Sequence, residues 1–243
     1  VSATELVLVA HGTRSRAGVE TVAALAEAAA ERVGSVRTAF VDVLGPSPTE
    51  VLCDVRGPAV LVPAFLASGY HVHTDVPRAV ADSGHPRVVV TRALGPHPAL
   101  ARVLEQRLRE SGWRPGDAVV LAAAGSSDPR GRHDVRRAAA MLSARVRRDV
   151  PVGYIASGTP TVAEAVARLR AEGRQRVFVA SYLLAPGLFH TRLGQAGADG
   201  VADPLGAHDA IADLVAERFF LASPRAARVS GGTPAAARRS TVR

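Results

Sequence analysis

Residues 5–10 (ELVLVA) form a short, almost unbroken apolar run rich in branched side chains. Such a run suits a strand buried on both faces of a parallel sheet. It ends in His11-Gly12-Thr13-Arg14-Ser15, where the period changes: Val19, Val22, Leu25, Ala29 and Val33 recur at intervals of three and four, while Glu20, Glu27 and Glu31 fall elsewhere. That spacing predicts an amphipathic helix with one apolar face. Further strands are expected at 38–43, 59–66 and 87–94, separated by helical stretches that include 48–55 and 77–82. Thr74 or Asp75 followed by Val76-Pro77 announces a helix start, an N-cap with proline in the first turn. The alternation of strand and helix predicts an α/β fold built on a doubly wound parallel sheet.

From residue 117 the pattern begins again. AVVLAAAGSSD (118–128) overlies ELVLVAHGTRS (5–15) with a shift of 113, so that Ala124 stands where the first copy has His11. VFVASYLLAPGLF (177–189) resembles VLVPAFLASGYH (60–71) with one residue inserted, and PLGAHDAIADL (204–214) echoes ALGPHPALARV (93–103). Three blocks in the same order at nearly constant separation indicate duplication. The chain is therefore expected to hold two similar doubly wound domains, 1–113 and 118–221, joined near Gly112-Trp113-Arg114-Pro115-Gly116, a stretch of linker composition. Residues 222–243, rich in Ala, Ser, Gly, Pro and Arg without apolar periodicity, read as a disordered tail.

Composition narrows the chemistry. The chain has one cysteine, Cys53, which excludes an intrachain disulfide and a cysteine cluster, so any metal ligands must be His, Asp or Glu. It has no lysine, which excludes Walker A, Schiff-base and pyridoxal-phosphate chemistry. The net charge of +8 suggests a nucleic-acid partner only at first sight, because Arg225, Arg228, Arg238, Arg239 and Arg243 supply five of those charges from the tail. With an aromatic content of 4% there is little to stack on bases. The remaining, mildly basic body suits an anionic small molecule. No apolar run is long enough to span a membrane and no signal-type segment opens the chain, so a soluble cytoplasmic protein is expected, as monomer or homodimer.

In an open parallel sheet, ligands bind beyond the carboxyl ends of the strands. His11 directly follows the first strand and His71 follows the strand at 59–66, so both imidazoles are expected at one sheet edge, in loops, as ligands of a divalent ion such as Fe²⁺, Co²⁺ or Ni²⁺. Gly12 and Gly69 allow close approach of backbone N–H groups to a ligand. His73 shares the face of His71 only if the chain there is extended. His85, His97 and His133, set among Pro, Gly or Arg, read as solvated loop residues.

AHGTRSRAG (10–18), VPAFLASGYHVHTDVP (62–77) and ALGPHPAL (93–100) together resemble the sirohydrochlorin chelatases of the CbiX and SirB type, class II chelatases that work without ATP, over residues 4–220. The resemblance implies insertion of Fe²⁺ or Co²⁺, a substrate metal and not a resident cofactor, into the carboxylate-rich tetrapyrrole sirohydrochlorin, in siroheme or cobalamin synthesis. It implies that His11 and His71 bind the metal and assist removal of pyrrole protons. Asp42 stands near where family members commonly show Glu, with a helix-capping role equally open. Arg14 and Arg16 are placed to pair with substrate carboxylates. Two other readings compete: a non-catalytic carrier of tetrapyrrole or metal, and a histidine phosphatase. The latter chemistry needs arginine directly before the histidine, where this chain has Ala10. The second copy, with Ala124 and Phe189 in the two histidine positions and His190 displaced by one, is expected to have lost its site.

Overall fold

A computed structural model describes residues 3–223. The first half runs β1 (Glu5–His11), α1 (Arg16–Val33), β2 (Val36–Val41), α2 (Pro48–Asp54), β3 (Ala59–Pro63), a single π-type turn (His71–Asp75) leading into α3 (Val76–Ser83), β4 (Val88–Val90) and α4 (Pro98–Glu110). The second half repeats it: β5 (Ala118–Gly125), α5 (Pro129–Val146), β6 (Val152–Ser157), α6 (Val162–Ala171), β7 (Val177–Tyr182), α7 (Leu188–Leu193), β8 (Gly200–Val201) and α8 (Asp209–Ala222). Each half forms a four-stranded parallel sheet, ordered β2-β1-β3-β4 and β6-β5-β7-β8. Both carry helices on both faces, as the alternating pattern predicts.

The apolar run of β1 divides between two cores because successive side chains point to opposite faces. Leu6, Leu8 and Ala10 enter an inner core with β3, β5 and β7 residues such as Val62, Leu121 and Phe178. Val7 and Val9 pack outward against Val51 and Leu52 of α2 and Val76 of α3. In the second half α6 covers the outer face through Val162, Ala165 and Val166. The inner core is one continuous cluster that takes residues from α1, α4, α5 and α8 and from both sheets. The last helix of each half crosses over: α4 lies on α5 and β7, and α8 lies on α1 and β3. The stretch 112–116 is correspondingly not an open linker. Trp113 is buried in the inner core and donates its indole N–H to the Asp117 carbonyl at 3.3 Å.

Element ends differ from the sequence expectation where backbone geometry intervenes. β2 stops at Val41 because Asp42 and Val43 adopt φ of 63° and 59° and turn the chain out of the sheet. β3 stops at Pro63, and β4 keeps only three residues. His97 is not a solvated loop residue. Its Nδ1 caps α4 by accepting the Ala99 N–H at 3.2 Å, as His208 Nδ1 caps α8 by accepting that of Ala210 at 3.1 Å, which is the physical content of the repeated ALGPH and PLGAH blocks. His133 lies on α5 and is exposed, while His85 is half-buried and bonded through Nε2 to the Val55 carbonyl at 3.0 Å. At the other end of the chain, Ala222 closes α8 and Ser223 is buried with its hydroxyl on the Phe219 carbonyl at 2.8 Å. The rest of the expected tail lies outside the described residues. Among the described residues, no helix is long and apolar enough to cross a membrane.

The shared core makes the two halves one cooperative unit. Far-UV circular dichroism and the fluorescence of Trp113 should lose signal in one coincident transition, and Ile211→Ala, at a fully buried position of α8, should destabilise both halves together by about 2–5 kcal/mol. Two separated transitions would show that the halves unfold apart.

His97 also sets a pH dependence. Burial, followed by the charge of Arg218, holds its imidazole below the ordinary histidine value of about 6.5. The unfolded chain therefore binds this proton more readily, and stability falls as pH drops below that value. His97→Asn, which keeps a capping side chain, should flatten this loss in thermal melts taken as pH falls below about 6.5.

Candidate metal centre

β1 ends at the carboxyl edge of the first sheet with His11 as its last residue, paired in register with Val41 of β2. The next residue must be glycine: Gly12 N–H bonds the Val41 carbonyl at 2.9 Å, and a Cβ on Gly12 would meet the Asp42 carbonyl oxygen at 2.1 Å. The close approach that this glycine permits is therefore that of the chain's own β2–α2 loop. It sets Asp42 beside β1, with its carboxylate 4.0 Å from His11 Nε2. Asp42 does not cap α2, because Ser47 and Glu50 form a capping box there.

His71 is placed by the π-type turn, not by an open loop as the sequence suggests. Its ring stands 4.9 Å from that of His11 between centroids and nearly perpendicular, and it stacks on Phe65 at 5.9 Å. One ligand atom from each of His11, Asp42 and His71 lies within 4.8 Å of the other two. The same turn separates His73, which is exposed and not in this cluster, because helical geometry sends residues two apart to different faces.

The ring tautomers follow from their partners. His11 Nδ1 lies 2.7 Å from the Gly12 carbonyl, which only accepts, so Nδ1 carries the proton and Nε2 presents a lone pair. His71 Nδ1 lies 2.6 Å from the Asp75 carboxylate, and the same logic frees its Nε2. Asp75 makes no side-chain cap bond to α3, so the cap expected from the sequence is replaced by support of His71. Its spacing of four from His71 on a helical turn was the available signal. A histidine braced by a carboxylate through one nitrogen and open at the other is a common outer-shell arrangement of metal sites.

His11 and His71 line a cleft of about 730 Å³ between the halves, with Asp42 outside the lining, and the other walls come mainly from residues that follow β1, β3, β5 and β7. Gly12, Gly69 and Arg14 line it, with Arg14 exposed. Gly69 packs towards Ser126 of the second half, whose Oγ would lie 3.2 Å from a Cβ there. Arg16 is outside the lining and pairs with Glu20 at 2.7 Å on the surface of α1. From the second half come Ala124, Phe189 and His190, so the copy without the histidine pair still builds the opposite wall, mainly from Leu183 to Leu188.

The two sheets define a duplicated α/β open-sheet protein whose strand carboxyl ends face one cleft between the halves. The CbiX family model matches residues 5–111 and again 118–222. The chain belongs to the CbiX family. A sirohydrochlorin ferrochelatase of Priestia megaterium is 24% identical over 231 residues, covering 86% of this chain and 87% of that protein. Among solved structures, SirB from Bacillus subtilis with Fe³⁺ superposes with a TM-score of 0.76 at 21% identity, over 93% of this chain and 98% of that one. CbiX, described as the terminal enzyme for biosynthesis of siroheme in denitrifying bacteria, does so at 0.66 with 22% identity, over 90% and 99% respectively.

Removing the brace tests the geometry of His71. Asp75→Ala should weaken Co²⁺ binding by about 10- to 100-fold, measured by equilibrium dialysis, because the ring loses its fixed tautomer and orientation. Unchanged affinity would show that the contact does not bear on the site.

Proposed function

We propose that this protein inserts a divalent metal, Fe²⁺ or Co²⁺, into sirohydrochlorin without ATP, with His11, His71 and Asp42 receiving the metal. The observation that carries this reading is the convergence of those three side chains, with His11 and His71 on the lining of a cleft large enough for a macrocycle. The relatives agree with it: the Priestia megaterium protein is a sirohydrochlorin ferrochelatase, and SirB of Bacillus subtilis is known with Fe³⁺ and with cobalt.

Neutral imidazole and carboxylate are borderline-to-hard ligands that accept both ions and strip part of their water. Two protein imidazoles hold a metal more weakly than four macrocycle nitrogens, which lets it pass on. Insertion of a divalent ion releases two pyrrole protons, so charge balances. As the metal leaves, the vacated Nε2 atoms accept those protons, and the neighbouring carboxylates of Asp42 and Asp75 stabilise the imidazolium forms. Arg14, exposed on the cleft, pairs with a substrate carboxylate, and the wall from Leu183 to Leu188 receives the apolar face of the ring. Arg16, which lies outside the lining and pairs with Glu20 on the surface, is not assigned this role. The cleft is complete within one chain, so a monomer suffices. We place the reaction in the cytoplasm, where ferrous iron and the single thiol of Cys53 both suit a reducing compartment.

The direct test is anaerobic: purified protein, sirohydrochlorin and each metal, with the absorbance change followed against the uncatalysed rate. His11→Ala and His71→Ala should each lower turnover by about 10²–10⁴, and the double substitution should cost much less than their product, as groups acting on one ion are not additive. His73→Ala should have a modest effect, and His190→Ala should cost less than about tenfold. Substrate binding without turnover in the wild-type protein would favour a carrier.

A further inference from the structure

The loop between β3 and the π-type turn leads directly into His71, yet past Phe65 the first half holds little of it. Ala64 N–H bonds the Val9 carbonyl at 2.7 Å, and Gly95 N–H bonds that of Phe65 at 3.0 Å. Beyond that point the side-chain partners are in the second half. The Tyr182 hydroxyl, at the end of β7, donates to the Leu66 carbonyl at 2.7 Å. Asp134 of α5 accepts the Ser68 N–H at 3.0 Å and the Ser68 hydroxyl at 2.5 Å through the same carboxylate oxygen. Gly69 then packs against Ser126 and Gly131.

These contacts are built and not incidental. Asp134 and Tyr182 are 8% and 3% exposed, so each must find polar partners inside the protein. Burial, reinforced by the charge of Asp134, pushes the Tyr182 phenol up, so it stays a neutral hydroxyl donor. Gly95 leaves room for the contact: a Cβ there would meet the Leu66 carbonyl oxygen at 2.1 Å and the Tyr182 hydroxyl at 2.6 Å. A half that has lost both histidine positions thus retains buried polar groups aimed at the histidine loop of the other half.

We propose that the second half is a clamp for the metal site, in which Asp134 and Tyr182 are positioning residues that hold residues 66–70 and thereby set the His71 ring against His11. This rests on the metal-site reading above and adds to it a role for the degenerate copy. The ion receives no ligand from Asp134 or Tyr182. They act through the loop, so their loss should loosen the site while leaving its ligands in place.

The test uses the full chain and Co²⁺ alone, followed by its visible absorption band. Asp134→Asn and Tyr182→Phe keep shape and remove the charge or the hydroxyl. Each should raise the Co²⁺ dissociation constant of the folded protein by about tenfold, in line with other outer-shell changes. Ser68→Ala should reproduce the Asp134→Asn effect, and combining the two should add little. The control is Ser181→Ala, which removes a buried hydroxyl bonded to the Ala202 carbonyl at 2.6 Å within the second half: it should lower the melting temperature and leave Co²⁺ affinity unchanged. Wild-type affinity in folded Asp134→Asn and Tyr182→Phe overturns the clamp, as does an equal loss in Ser181→Ala, which would make the effect one of general stability. A cobalt band that survives His71→Ala in an otherwise wild-type chain overturns the metal-site reading itself, and the clamp with it.

Discussion

A parallel sheet with crossover helices cannot leave either face in water, and this constraint organises the molecule. Each four-stranded sheet has an outer cover from its own half, α2 and α3 on one and α6 on the other. The inner faces are covered in common by α1, α4, α5 and α8. Because α4 and α8 each cross to the opposite half, neither sheet keeps its inner cover without the other. The two sheets are thereby held at a fixed separation, with the loops after β1, β3, β5 and β7 facing one cleft.

That arrangement divides the labour between two copies of one unit. The first half brings His11, Asp42 and His71 together, and it does so through backbone details: the glycine after β1 that admits the Asp42 carbonyl, the positive φ of Asp42 and Val43, and the π-type turn that brings His71 back over the strand end. The second half supplies an apolar wall and the groups that tie down the His71 loop. Its alanine at position 124, where the first copy has His11, makes the cleft one-sided.

Much of this was legible in the sequence because the signals are local. The run at 5–10 can hardly be other than a buried strand, and His11 at its end can hardly be elsewhere than the ligand edge. Asp75 in sequence suits a helix cap, since spacing alone does not tell whether its carboxylate turns to the backbone or to the side chain one turn back. Arg16 illustrates the converse: adjacency to His11 in sequence suggested a shared cleft, whereas the start of α1 rotates it towards Glu20. The Gly and Pro around Trp113 give it linker composition, whereas its burial depends on α4 crossing to the second sheet.

The strand and helix alternation, the duplication, the exclusion of lysine and cysteine chemistry, and the pair of histidines that would meet are all written in the order of residues. Those follow from residue type and period, which are properties of the chain before it folds. The tertiary structure alone decided that the halves share one core, that Asp42 joins the histidines while His73 does not, and that Asp134 and Tyr182 reach the loop of the other half. These depend on contacts between residues far apart in the chain, Ser68 with Asp134 and Leu66 with Tyr182. Hydrogen bonds of this kind leave no periodic mark on the sequence that makes them.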